Sequence, residues 1–237
     1  MLYKFLDTRD IEKVIGGGTG TLIVSSLEYF RELEETWGDI ADPLEGSTEL
    51  TVKGEFIVRE NSPELSMINN TNIGFGTFQQ FAKISGGGMI NMSGVRFIHK
   101  VTNLYIYSVA IGEIEALKTE MCVNSKRVYD ACLRVGDLEQ LRFHIFQTGR
   151  VRELGCMVAD AFQPGLIQAV EYEPRSRDVR DGPAIEPSPF KKDDRFKCQS
   201  EVRLLLVPTS EHSEKRLTIE IADPAKFFRE EFRDFRR

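Results

Sequence analysis

The run Phe196-Lys197-Cys198-Gln199-Ser200-Glu201-Val202-Arg203-Leu204-Leu205-Leu206-Val207 constrains the fold most. On a strand, alternation sends Lys197, Gln199, Glu201 and Arg203 to one face and Phe196, Cys198, Val202, Leu204 and Leu206 to the other. Leu205 and Val207 then put apolar groups on the polar face as well, which predicts a strand buried on both sides. Leu2–Leu6 reads as a short strand at the amino end, and both strands are expected in one sheet.

A chain of 237 residues, 41% hydrophobic and 29% charged, has the composition of a globular protein and enough length for a substantial core. Asp7 or Thr8 is expected to cap a helix through Ile11, Val14 and Ile15, which Gly16-Gly17-Gly18 stops. Thr21–Ser26 reads as a strand and Leu27–Trp37 as a helix. Further strands are expected at Glu49–Val58, Gly94–His99 and Leu104–Ala110, with Gly86-Gly87-Gly88 as a turn among them. Helices at Ile114–Met121 and Leu138–Thr148 bracket a strand at Tyr129–Val135, and Leu166–Tyr172 is another strand. Pro174, Pro183, Pro187 and Pro189 among many charges mark Glu173–Asp194 as a surface loop. The segment beyond that loop is too short for a core of its own, so the loop reads as an insertion within one domain. Lys197–Val207 and Arg216–Ile221 are expected to form a hairpin. Asp223 as cap and Pro224 as first residue predict an amphipathic helix over 223–237. The expected fold is a single α+β domain over residues 1–237, with a mixed or mainly antiparallel sheet and flanking helices.

A net charge of −6 disfavours broad coating of nucleic acid, while a focused pocket for an anionic ligand remains compatible with it. The amino end lacks the basic start and apolar stretch of a signal peptide, and no window approaches the roughly 20 apolar residues of a membrane span. Cys122, Cys132, Cys156 and Cys198 are scattered without a zinc or redox spacing, so they read as reduced thiols of a cytoplasmic protein with no membrane partner.

Glu201 falls where the polar end of the late strand meets its apolar part, a place where partial burial tunes a carboxylate. It is either a working carboxylate or half of a structural ion pair with Arg203 or Lys197. Tyr3-Lys4-Phe5, the strand ending in Ser25-Ser26, Asp42-Pro43-Leu44-Glu45 and Phe196-…-Glu201-Val202-Arg203 occur in an order that resembles a bacterial family of unknown function. That family has a Leu-Tyr-Lys-Tyr-like first strand, an Asn-Asp-Pro-Phe-Glu-like loop and a late Glu-x-Glu-x-Arg-like strand. Ala41, Phe196 and Gln199 depart from its Asn, Trp and first Glu.

More distantly, the layout is similar to ADP-ribosyltransferases, which carry an aromatic-basic pair on the first strand, a serine on the second and a Gln-x-Glu pair later. The resemblance implies NAD as substrate and a macromolecular acceptor, protein or nucleic acid, in a toxin or phage-defence setting. It implies Glu201 as catalytic carboxylate, Gln199 orienting the acceptor, and Tyr3, Lys4, Ser25 and Arg203 at the NAD site. The alternative is a non-enzymatic interaction or sensing domain, in which the late strand is structural.

Asp42 and Glu45 form a second acidic pair around Pro43, read either as turn chemistry or as cleft lining. Gly16-Gly17-Gly18-Thr19-Gly20 precedes a strand and lacks the Gly-Lys-Ser/Thr ending of a phosphate loop, so it reads as a turn. His99, His144 and His212 are isolated, and His144 beside Phe143 and Phe146 reads as a packed or surface residue. Phe228, Phe232 and Phe235 form an aromatic stripe on the expected terminal helix, packed on its own domain or shared in a homo-oligomer.

Overall fold

The computed structural model describes residues 1–33, 45–51, 56–58, 90–92, 96–101, 104–124, 129–178, 181 and 186–233. Asp42, Asn61–Asn72, Gly86-Gly87-Gly88, Phe235 and the end of the helix expected to reach Trp37 lie outside them.

The chain opens with β1 (Leu2–Leu6), α1 (Ile11–Ile15), β2 (Thr19–Ser26) and α2 (Leu27–Glu32). Next come four strands, β3 (Ser47–Thr51), β4 (Phe56–Val58), β5 (Ile90–Met92) and β6 (Arg96–Lys100), and then the central strand β7 (Tyr105–Ile111). After it come α3 (Ile114–Lys118), β8 (Ala131–Val135), α4 (Leu138–Thr148), β9 (Arg150–Val151), β10 (Cys156–Met157) and α5 (Val158–Ala161). The last part holds β11 (Phe162–Ala169), β12 (Glu171–Tyr172), β13 (Ser176–Asp178) and β14 (Lys191–Lys192). It ends with β15 (Glu201–Pro208), β16 (Arg216–Ala222) and β17 (Phe228–Phe232). The fold is α+β, with a mainly antiparallel sheet and flanking helices.

Ten strands make the main sheet of the described residues. β15 pairs with β7 along its length, Glu201 opposite Ala110 and Leu206 opposite Tyr105, and with β11 on its other side. The amino end joins the same sheet, because Tyr3 in β1 also pairs with Ala110. As its composition predicts, β15 is buried on both faces. Val202, Leu204 and Leu206 enter the main core with Tyr107, Val109, Leu133 and Ile219. Leu205 turns to the other face and packs with Leu27, Ile106 and Phe190.

The helices arise from local chemistry. Asp137 caps α4 by accepting from the N–H groups of Glu139 and Gln140, and Leu138, Leu141 and Ile145 bury one stripe in the main core. His144 lies on the exposed side, its Nε2 2.7 Å from the Ala222 carbonyl and its ring 4.9 Å from Phe227. Asp7 accepts from Arg9 N–H at the turn before α1, and Gly17, at φ 72°, sits after that helix in the glycine-rich turn.

Three expectations fail for identifiable reasons. The hairpin does not form: β16 pairs with β2 and β9, which buries Leu217, Ile219 and Ile221 beside Leu22 and Val24. The terminal helix is a single 3₁₀ turn at Pro224–Lys226 followed by β17, which extends the sheet beside β8. A register shift between Glu230 and Phe232 turns Phe228 into the main core and Phe232 onto Phe5 on the opposite face. An aromatic spacing that fits a helix stripe thus serves both faces of a bulged strand. No terminal amphipathic helix among the described residues remains to carry a homo-oligomer. The stretch 173–194 is not a surface loop throughout, because Arg175, Asp178, Phe190 and Lys192 are buried. β13 pairs with β3, and β14 with β12, so this stretch is stitched into the molecule by main-chain hydrogen bonds.

Candidate functional site

The sheet forks at β7. One side of that strand is covered by β15, while the other is shared by two strands that each pair only briefly with it. Ser25 and Ser26 of β2 sit opposite Ile106 and Tyr105, and Leu2 and Tyr3 of β1 sit opposite Ile111 and Ala110. Between those contacts neither register covers Tyr107–Val109. The Lys4 ammonium stands in for the missing neighbour, donating to the Ser108 carbonyl at 2.7 Å and lying 4.7 Å from the centre of the Tyr107 ring. A cavity of about 660 Å³ occupies the fork, within the range of small-molecule sites.

A buried charge network borders this cavity. Glu201 Oε1 accepts from Ser108 Oγ and, at 2.8 Å, from Arg203 Nε. Its Oε2 accepts from Arg203 Nη2 at 3.0 Å and from the Lys192 ammonium at 3.3 Å. Arg203 reaches Glu45 Oε1 at 2.6 Å through Nη1, which also donates to the Pro189 carbonyl. Lys192 lies 3.5 Å from Glu45 Oε2 and donates to Gln199 Oε1 at 2.8 Å. Two carboxylates and two cations therefore balance in a region where an unpaired charge is costly. Burial pushes the Glu201 carboxyl up, but the Arg203 and Lys192 charges and the hydrogen bonds from Arg203 and Ser108 outweigh it. They hold the carboxyl well below the usual carboxylate range.

The start of β15 explains how Gln199 and Glu201 come together. Residues Asp194–Gln199 form a 3₁₀ segment capped by Asp193, and Ser200 in the left-handed region (φ 42°) turns the chain into the strand. Lys197 and Gln199 are thus not on the strand face with Glu201 and Arg203, as alternation predicts. Gln199 nevertheless meets Glu201 through Lys192, which hydrogen-bonds both. Ser200, with Asp223 one of two described non-glycine residues in the left-handed region, sits between the two residues singled out from the sequence.

Tyr3, Lys4, Ser25, Gln199 and Glu201 all line the one cavity. Tyr3 and Glu201 both pair with Ala110, so they share a face two strand spacings apart, about 10 Å. Lys4 belongs to the opposite face and reaches the cavity only through the fork. Tyr3 is packed with Phe5, Ala110 and Cys132, which leaves its ring little room to stack on a ligand. Arg203, expected at the cofactor site, does not line the cavity; its guanidinium is 0% exposed and engaged by Glu45 and Glu201. Glu45 belongs to the buried network, and Asp42 lies outside the described residues.

Four residues of the site escaped the sequence reading. Lys192 sits in a stretch rich in proline and charge, with no periodicity to mark it. Ser108 and Tyr107 belong to the apolar run of β7; the Tyr107 hydroxyl is buried without a hydrogen-bond partner among the described residues, and burial raises its pKa well above the ordinary value. Arg216 opens β16 opposite Ser25, an adjacency that only the strand pairing discloses.

Among the described residues no cluster of His, Cys, Asp and Glu could hold a metal ion, and no helix is long and apolar enough to cross a membrane. No protein-family model, curated protein or solved structure significantly matches the chain.

Proposed function

We propose that the fork binds NAD and that the protein is an ADP-ribosyltransferase-like enzyme acting on a macromolecule. The observation that carries this reading is convergence: Tyr3, Ser25 and the Gln199–Glu201 pair, three segments far apart in sequence, border one cavity of about 660 Å³. In the reaction, the bond between ribose C1′ and the nicotinamide nitrogen breaks, and nicotinamide leaves with the bonding pair. An acceptor group supplies a lone pair to the same carbon and releases its proton to water. Glu201 is held ionised by Arg203 and Lys192, which suits charge stabilisation at the ribose better than proton abstraction. Gln199, joined to Glu201 through Lys192, orients the acceptor. Transfer to a macromolecule would serve the toxin or phage-defence setting implied by the resemblance.

One observation favours a second reading, ligand sensing without chemistry. The Glu201 carboxylate already accepts from Ser108, Arg203 and Lys192, so a ribose hydroxyl must displace a donor. The Lys192 contact, at 3.3 Å, is the longest and the first to yield. The two readings separate when the protein is incubated with NAD labelled on both halves and with cell extract. Catalysis predicts nicotinamide release and transfer of the ADP-ribose label, reduced at least a hundredfold in Glu201→Gln and clearly reduced in Gln199→Ala. Circular dichroism establishes that both variants are folded. A folded wild-type protein that releases no nicotinamide and labels no acceptor contradicts the enzymatic reading.

A further inference from the structure

We infer that Arg216 is the anion anchor of the cleft and takes the phosphate groups of its ligand, an assignment that rests on the dinucleotide reading of the cavity. Arg216 pairs with Ser25 across β16 and β2, so the two side chains share a face with Cβ atoms about 5 Å apart. Both line the cavity. The guanidinium lies 5.9 Å from the centre of the Tyr29 ring, a contact that holds it in place without using its N–H groups.

The other cations of the cavity wall are engaged. Lys4 donates to the Ser108 carbonyl, Lys13 pairs with Asp10 at 2.6 Å, Lys192 bridges Glu45 and Glu201, and Arg195 lies 3.9 Å from Asp193. Arg216 makes no hydrogen bond or ion pair with any described residue. The nearby acids of α2 are taken by the preceding residue, since the Lys215 ammonium contacts both Glu28 and Glu32. An arginine with all its donors available, steadied by an aromatic ring beside a serine hydroxyl, matches the bidentate geometry of a phosphate. With Lys4 engaged by the Ser108 carbonyl and Arg203 buried away from the cavity, Arg216 is left as the cation placed to take the ligand's phosphates.

Calorimetric titration of wild type, Arg216→Met and Arg216→Lys with ADP-ribose, inorganic pyrophosphate and adenosine tests the assignment. The expected result is a loss of tenfold or more in ADP-ribose affinity in Arg216→Met, partial recovery in Arg216→Lys, and no change for adenosine. Pyrophosphate bound by wild type and lost in Arg216→Met, with no ADP-ribose binding, would support the anchor while removing the dinucleotide reading. Equal ADP-ribose affinity in wild type and a folded Arg216→Met would overturn the assignment. So would a wild type that binds neither phosphate ligand.

Discussion

Two borders of the same cleft treat charge in opposite ways. Where β15 begins, Glu201, Arg203, Lys192 and Glu45 are buried and mutually neutralised, each within 4 Å of an opposite charge. On the other border, Ser25 of β2, Tyr29 of α2 and Arg216 of β16 present polar groups with few internal commitments among the described residues. A charged residue's type therefore says little about its role until its partners are known. Arg203 and Arg216 are both strand arginines, yet one holds the fold together and the other faces the cavity.

Substitutions on the two borders should differ in cost. The largest effect is expected for Arg203→Met, which leaves two buried carboxylates with Lys192 as their one described cation and should cost about 3–5 kcal/mol in chemical denaturation. Lys192→Met should cost less, about 2–3 kcal/mol, because its contacts with the carboxylates are longer and Arg203 still holds Glu201. Ser108→Ala removes one hydrogen bond to a charged group and is expected to cost about 1–2 kcal/mol. Arg216→Met belongs at the bottom of the series, with a stability change within about 0.5 kcal/mol, as for exposed positions without partners. If Arg216→Met destabilised the protein as much as Arg203→Met, the contrast between the two borders would disappear.

Acid should act on one border only. The folded carboxyl of Glu201 is held below the ordinary value of 4.5, so its contribution is fully present above that pH and is lost as pH falls toward the folded value. Denaturant midpoints measured from pH 6 downward should therefore drop below about pH 4.5 in wild type, and less steeply in Glu201→Gln. Equal slopes in the two proteins would mean that the network contributes nothing to acid sensitivity.

The sheet was legible in the sequence wherever one physical requirement dominated. Val202, Leu204, Leu205 and Leu206 must all leave water, which places β15 between two covering layers whatever its neighbours are. The Leu138–Thr148 helix was equally plain in its bounds, to which the structure adds a cap at Asp137 and three core residues on one stripe. The end of the chain misled because Phe228 and Phe232 are spaced as helix neighbours; only the partner strand β8, through the bulge, decides that they serve opposite faces. The site was half legible. Glu201 stood out because a carboxylate amid apolar neighbours needs a reason. Its partners Lys192, Ser108 and Glu45 come from separate segments, and no local pattern announces a contact that the fold alone creates. Arg216 was hidden for the same reason, since its place on the cleft comes from pairing with a strand some 190 residues earlier.

The most direct test is where the ligand lands. Backbone amide and side-chain NMR signals of the wild-type protein, tracked during titration with ADP-ribose, report the binding surface without requiring turnover. The account predicts saturable shifts concentrated at Tyr3, Ser25, Tyr29, Gln199 and Arg216, with the core signals of Leu141 and Ile145 unmoved. Saturable shifts centred away from the fork, or none at millimolar ligand, would contradict it.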